Sequence, residues 1–293
     1  MIQYTVDNID AVNKYNRYQL SELIATNINY YTKMVSAPTY SKTPHFLVKK
    51  SIILDNNRDK ITTLQDSIKK ILNKITDRNY TKLIDELITN MKILVDMVSK
   101  SSIANEGESS IDQTVRLIFD NFFSSSINID LNIDMYYRLT SEFKYIEKYF
   151  ERFVEEVKTL YTSVEVCRTI SFDEMDRVTK INHIIKNKIK FFCRLEKRGK
   201  VSRELMNQYI IVYQERLMTM LMEQQAKMEC DEMAELILTF LTEKGRLDKS
   251  VTLEKTILAN VNHIIKADIN ETKSLSNKVI LKHKNVIEQL KLV

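Results

Sequence analysis

The residues able to ligate a metal or attack a substrate are few and scattered. Four histidines (His45, His183, His263 and His283) and three cysteines (Cys167, Cys193 and Cys230) are spread over 293 residues. No histidine has a His or Cys three or four positions further on, the spacing that would put two zinc ligands on one helix face. The three glycines, Gly107, Gly199 and Gly245, stand far apart. They form neither a phosphate-cradling loop nor the strained turn that exposes a nucleophilic serine. The paired acids Glu155-Glu156 read as solvated charge on a helix. The sequence therefore offers no catalytic residue, no metal site and no cofactor, and the chain is not expected to be an enzyme.

What remains is charge. From Lys180 to Arg203, nine Lys and Arg residues stand against Glu196 alone, a local charge of 9 − 1 = +8. Lys186, Lys190, Arg194 and Lys197 recur at helical spacing on one side of a helix, with Arg198 and Lys200 just beyond. Ile184, Ile185, Ile189, Phe192 and Leu195 occupy the other side. Such a stripe could meet RNA phosphates through backbone contacts, without reading bases. The competing reading is a helix face balanced by acids elsewhere in the fold.

The elements that would carry these residues are helices. Only three glycines and two prolines occur, and both prolines, Pro38 and Pro44, lie near the amino terminus. Tight β-turns need Gly, so the count argues against an all-β fold, and against a doubly wound nucleotide fold as well. Residues 1–58 hold both prolines, six tyrosines and no long amphipathic pattern, and read as an extended arm. From residue 59 to 293 a 3.6-residue period dominates. Ile61, Leu64, Ile68, Ile71 and Leu72 mark a first helix, and Thr76-Asp77 restart the next. The acidic NEGESS stretch with Gly107 reads as a loop, followed by helices over about 111–124 and 130–160. Ser171 with Glu174 forms a candidate capping box for a helix running to about Lys197. Ser202 is a candidate cap for a helix over about 203–224. Further helices follow over about 228–243, with Gly245 just past its end, then 249–267 and 274–291. Nine or ten helices with short turns indicate an all-α protein, an α-solenoid of HEAT-like antiparallel pairs; the alternative is an irregular bundle. The odd cysteine count fits a reduced compartment. The first residues carry two acids and no apolar run, and no apolar run approaches 18 residues, so a cytoplasmic protein with no membrane association is expected.

One stretch carries a resemblance. Leu72-Asn73-Lys74-Ile75-Thr76, then Asp77, then Asn79-Tyr80-Thr81-Lys82-Leu83 resembles the opening of the middle domain of eukaryotic translation initiation factor 4G. That family shows Leu-Asn-Lys-Leu-Thr followed by Asn-Phe-x-Lys-Leu. Leu117-Ile118-Phe119-Asp120, Ile189-Lys190-Phe191-Phe192, Asp231-Glu232 with Leu236 and Leu241, and Ser276 to Ile287 are similar to later family segments, so the resemblance covers about 60–293. Cys193 replaces the family's glycine after Ile-Lys-Phe-Ile, and Glu196 its following aromatic. A proline expected after the third helix is missing. Only Lys278 keeps a cation of the Ser-Arg-x-Arg helix, with Ile280 at its second position. The resemblance implies a HEAT-type middle domain without catalytic residues that binds a DEAD-box helicase of the 4A type and RNA. Asn73, Lys74, Ile75 and Thr76 would face one helicase lobe and Lys278 the other.

In the arm, Tyr18 is followed at +5 and +6 by Leu23 and Ile24. This spacing resembles the short motif that docks on the 4E-type cap-binding protein, a ring and two aliphatic groups seated by a folding helical turn. The motif lies upstream of the middle domain in the family, as Tyr18 does here. The implied whole is a translation initiation scaffold that assembles a cap-binding complex on mRNA. A middle-domain scaffold of nuclear cap-binding, splicing or nonsense-mediated decay type is the alternative.

Overall fold

The apolar 3.6-residue rhythm produces helices throughout. A computed structural model describes residues 56–100, 104–124, 128–169, 171–269 and 271–289, with the backbone alone for 56–59, 104–109 and 289. The chain divides into two units, Met1–Ile53 and Leu54–Val293, and the described residues belong to the second. Among them are α1 (Asn56–Leu72), α2 (Tyr80–Lys100), α3 (Ala104–Ser124), α4 (Ile129–Glu142) and α5 (Lys144–Val157), then a 3-10 turn (Leu160–Ser163). They continue with α6 (Phe172–Lys197), α7 (Arg203–Met222), α8 (Lys227–Lys244), α9 (Thr252–Lys266) and α10 (Asn277–Gln289). No strand occurs among the described residues, so the all-α expectation holds.

The packing follows the chain. α1 lies on α2, α3 on α4, α7 on α8 and α9 on α10, and the even-numbered helices form a continuous row in which α2 touches α4, α4 touches α6, α6 touches α8 and α8 touches α10. α6 is the hub, packed against α3, α4, α5, α7 and α8. Its neighbouring residues Phe191 and Phe192 enter two separate aromatic clusters. Phe191 meets Phe122, Phe123 and Phe153 at 5.7, 5.5 and 5.8 Å between ring centroids. Phe192 stacks on Tyr209 at 5.5 Å and meets Phe240 edge-on.

Polar side chains complete the helix ends. Asn132 and Asn187 donate to the Phe122 and Phe123 carbonyls, two of the acceptors left open where α3 stops. Ser202 caps α7 by accepting the Leu205 N–H at 3.1 Å, as expected. Ser171 does stand at the start of α6, but its side chain makes no capping hydrogen bond, and Glu174 takes the Thr169 hydroxyl instead, so the capping box does not form.

Three boundaries differ from expectation. The stretch containing Gly107 is the first part of α3, because one glycine costs a helix only about 1 kcal/mol. α2 begins at Tyr80, three residues beyond Asp77. The 130–160 helix is broken at Phe143, whose extended backbone (φ −133°, ψ 103°) redirects the chain while its ring stays buried. Thr140 and Ser141 bond back to carbonyls three and four residues earlier, a competition with the helix ladder that precedes the break.

Candidate functional site: the helical row and the corner before it

The cations expected on α6 are where the sequence put them, but they face carboxylates. Arg194 lies 3.0 Å from Glu243 of α8 and 3.8 Å from Asp130 of α4. Lys197 shares Glu243, Lys186 lies 4.0 Å from Glu235 of α8, and Arg198 reaches Asp134 of α4 at 3.2 Å. Lys200 pairs with Glu147 of α5 and stands 5.6 Å above the Phe150 ring. Lys190 is the one member of the six for which no acidic partner is found among the described residues. The expected apolar side is also imperfect, since Ile184 is exposed.

These pairs belong to a ladder that runs along the even-numbered row. Lys92 of α2 meets Glu142 of α4 at 2.8 Å, and Asp85 of α2 meets Arg138 of α4 at 3.7 Å. Asp130 and Asp134 carry it from α4 to α6, and Glu235 and Glu243 from α6 to α8. Lys282 of α10 then reaches Glu235 at 2.6 Å, and Lys278 reaches Asp231 of α8 at 3.8 Å. Burial opposes ionisation of Glu235, but Lys282 prevails and holds its carboxyl below the usual range. A partly exposed pair contributes at most about 1 kcal/mol, so the ladder orients helices more than it stabilises them. It also compensates, inside the fold, the charge that the bare sequence left open.

The first helix pair ends differently. Ile75 is buried and anchors the turn, while Asn73, Lys74 and Thr76 around it are exposed. Asn79 builds the corner from within: its side-chain oxygen accepts the Thr76 N–H at 2.7 Å and its amide donates to the Lys74 carbonyl at 2.8 Å. Asn73 accepts from Asn121 of α3 at 3.1 Å, which fixes the corner to the next helix. Lys69, Lys70, Lys74, Arg78 and Lys82 are all exposed, and none has an ion-pair partner among the described residues. Asp77 is the one acid from Lys69 to Lys82, so the corner carries 5 − 1 = +4. A run of five cations spread over 14 residues is visible in the sequence; that these five lack ion-pair partners among the described residues, while eight of the nine cations from Lys180 to Arg203 have them, is not.

Asn73, Lys74, Ile75 and Thr76 are thus brought together, and Lys278 lies on the last helix of the row. Tyr18, Leu23 and Ile24 lie outside the described residues. Among the described residues no cluster of three or more His, Cys, Asp or Glu side chains could hold a metal ion, and no helix is long and apolar enough to cross a membrane. Cys193 and Cys230 are buried among apolar side chains, and burial pushes both thiols up, Cys230 to about 12, away from the reactive thiolate. Comparison with protein-family models, with curated proteins and with solved structures found no match.

Proposed function

We propose that the chain is a helical scaffold of the initiation factor 4G type, which holds a DEAD-box helicase of the 4A type and a 4E-type cap-binding protein on mRNA and catalyses nothing itself. The observation that carries the reading is the continuous even-numbered row, α2 to α10, each helix tied to the next by ion pairs across the row. Helices that contact mainly their near neighbours in the chain support the reading of a solenoid of HEAT-like pairs. Such a body presents two well-separated surfaces at fixed geometry, as a two-lobed partner requires. The corner at Asn73, Lys74 and Thr76 belongs to the first pair and Lys278 to the last. Bridging two lobes biases a helicase toward one lobe arrangement only through differential contact with both. Tyr18, Leu23 and Ile24 would recruit the cap-binding partner, and a short connection to the helicase surface would raise the local concentration of capped RNA. This reading places the chain in the cytoplasm. RNA held at Lys186, Lys190, Arg194, Lys197, Arg198 and Lys200 would displace most of those cations from carboxylates. Binding there is therefore expected to be weaker than the +8 window suggests.

Affinity purification of the full chain tests the reading. The wild type is expected to retain a 4A-type helicase and a 4E-type protein. Tyr18→Ala with Leu23→Ala is expected to lose the second and keep the first. A wild type that retains neither, or retains nuclear cap-binding or decay factors instead, contradicts it.

A further inference from the structure

The ion pairs show that the last three helices of the row run in one direction. Lys186 and Arg194 of α6 meet Glu235 and Glu243 of α8, and Asp231 and Glu235 of α8 meet Lys278 and Lys282 of α10. In each set both partners advance by the same number of residues, as parallel helices require. The starts of α6, α8 and α10 therefore lie at one end of the row. Nine large apolar side chains are exposed among the described residues, and five of them gather here. Phe172 and Met175 open α6, Met222 and Met228 flank the α7–α8 turn, and Ile269 precedes α10. Among them opens a cleft of about 290 Å³. Met175, Val178 and Met228 give it apolar walls, and Glu165, Asp231 and Glu232 outnumber Lys186 and Lys278 as its charged lining.

The same end is acidic. Residues 165–177, 222–232 and 267–278 hold ten Asp and Glu against five Lys and Arg, a charge of 5 − 10 = −5, on a chain whose total is +5. Asp173, Glu174 and Glu232 have no ion-pair partner among the described residues. We infer that this end docks an amphipathic helix of a protein partner, apolar along one face and edged with Lys or Arg. Its apolar residues would cover Phe172, Met175 and Met228 and enter the cleft, and its cations would face Asp173, Glu174 and Glu232. Methionine side chains are unbranched and polarisable and repack around different apolar shapes, so three of them suit a helix face. Nucleic acid and anionic lipid carry the wrong charge for this end. The inference goes beyond the scaffold reading and does not rest on it.

The test titrates the full chain into a labelled helical peptide of leucine and lysine and follows fluorescence anisotropy. A leucine–glutamate peptide of the same pattern is the comparison. The net charge of the whole chain favours the acidic peptide, so a preference for the basic one reports the local surface. The basic peptide is expected to bind about tenfold tighter or more. Phe172→Ser with Met175→Ser and Met228→Ser is expected to weaken it by about tenfold or more, and Asp173→Lys with Glu174→Lys to remove the preference. The three apolar side chains are all about half exposed or more, so urea midpoints of the serine variant should stay close to wild type. Equal affinity for the two peptides, or unchanged affinity in the serine variant, overturns the inference. So does a wild type that self-associates and turns monomeric in the serine variant, because a second copy is then the occupant. Helicase binding enters none of these results, so the scaffold reading stands or falls separately.

Discussion

Replacing Glu254 by alanine is expected to destabilise the domain by about 3–5 kcal/mol, the cost of leaving a buried charge without its partner. Glu254 is fully buried at the start of α9. Its carboxylate takes hydrogen bonds from Lys244 of α8 at 2.7 Å, Arg203 of α7 at 2.8 Å, Asn207 of α7 at 3.3 Å and the Asp248 N–H of the connecting loop. One side chain therefore ties three helices and a loop, and its removal strands the Lys244 ammonium, which is almost wholly buried. Burial alone would push the Glu254 carboxyl up, but the donors around it win and hold it at about 2. A folded-state value below the unfolded one means that stability is complete above about pH 4.5 and is lost as pH falls toward 2. Urea midpoints across that range should fall for the wild type and fall less for Glu254→Ala. A variant within about 1 kcal/mol of wild type at neutral pH would show that the network contributes little net stability.

Phe191→Ala is expected to cost a similar amount, about 3–5 kcal/mol, for a different reason. The ring is fully buried and meets rings from α3, α4 and α5, including Tyr136 at 6.1 Å and Phe119 at 6.5 Å. Its loss opens a cavity where the hub helix joins the first half of the row. Phe172, on the same helix, is 81% exposed, and Phe172→Ala should change stability by less than about 0.5 kcal/mol. Denaturant titration of the two variants separates burial from aromatic identity. Against a typical total of about 5–15 kcal/mol, the Phe191 loss should leave the folded state marginal.

The helices were legible because burial follows period: Ile68, Ile71, Leu72, Ile84, Leu87 and Met91 are all buried, as their spacing requires. The Phe143 break was not, because no Gly or Pro marks it. It comes from a ring drawn into the core and from hydroxyls that bond locally. The corner at Asn73–Thr76 was readable as a motif; that Ile75 is buried there while its neighbours are exposed was not. The α6 stripe was misleading in a physically instructive way. A local window counts cations but cannot see carboxylates supplied from 40 or more positions away, such as Glu235 and Glu243. Glu254 gave no signal at all, since one acid among 39 Asp and Glu becomes special only when three helices converge on it.

The central claim is that the row holds both lobes of a helicase and does no chemistry of its own. It is tested most directly by the RNA-dependent ATPase rate of a purified 4A-type helicase with and without the full chain, the chain alone serving as the control. The account predicts a faster helicase rate when the chain is present, no hydrolysis by the chain alone, and loss of the stimulation when Lys74 is changed to Glu. An unchanged helicase rate at saturating chain, or hydrolysis by the chain by itself, would contradict it.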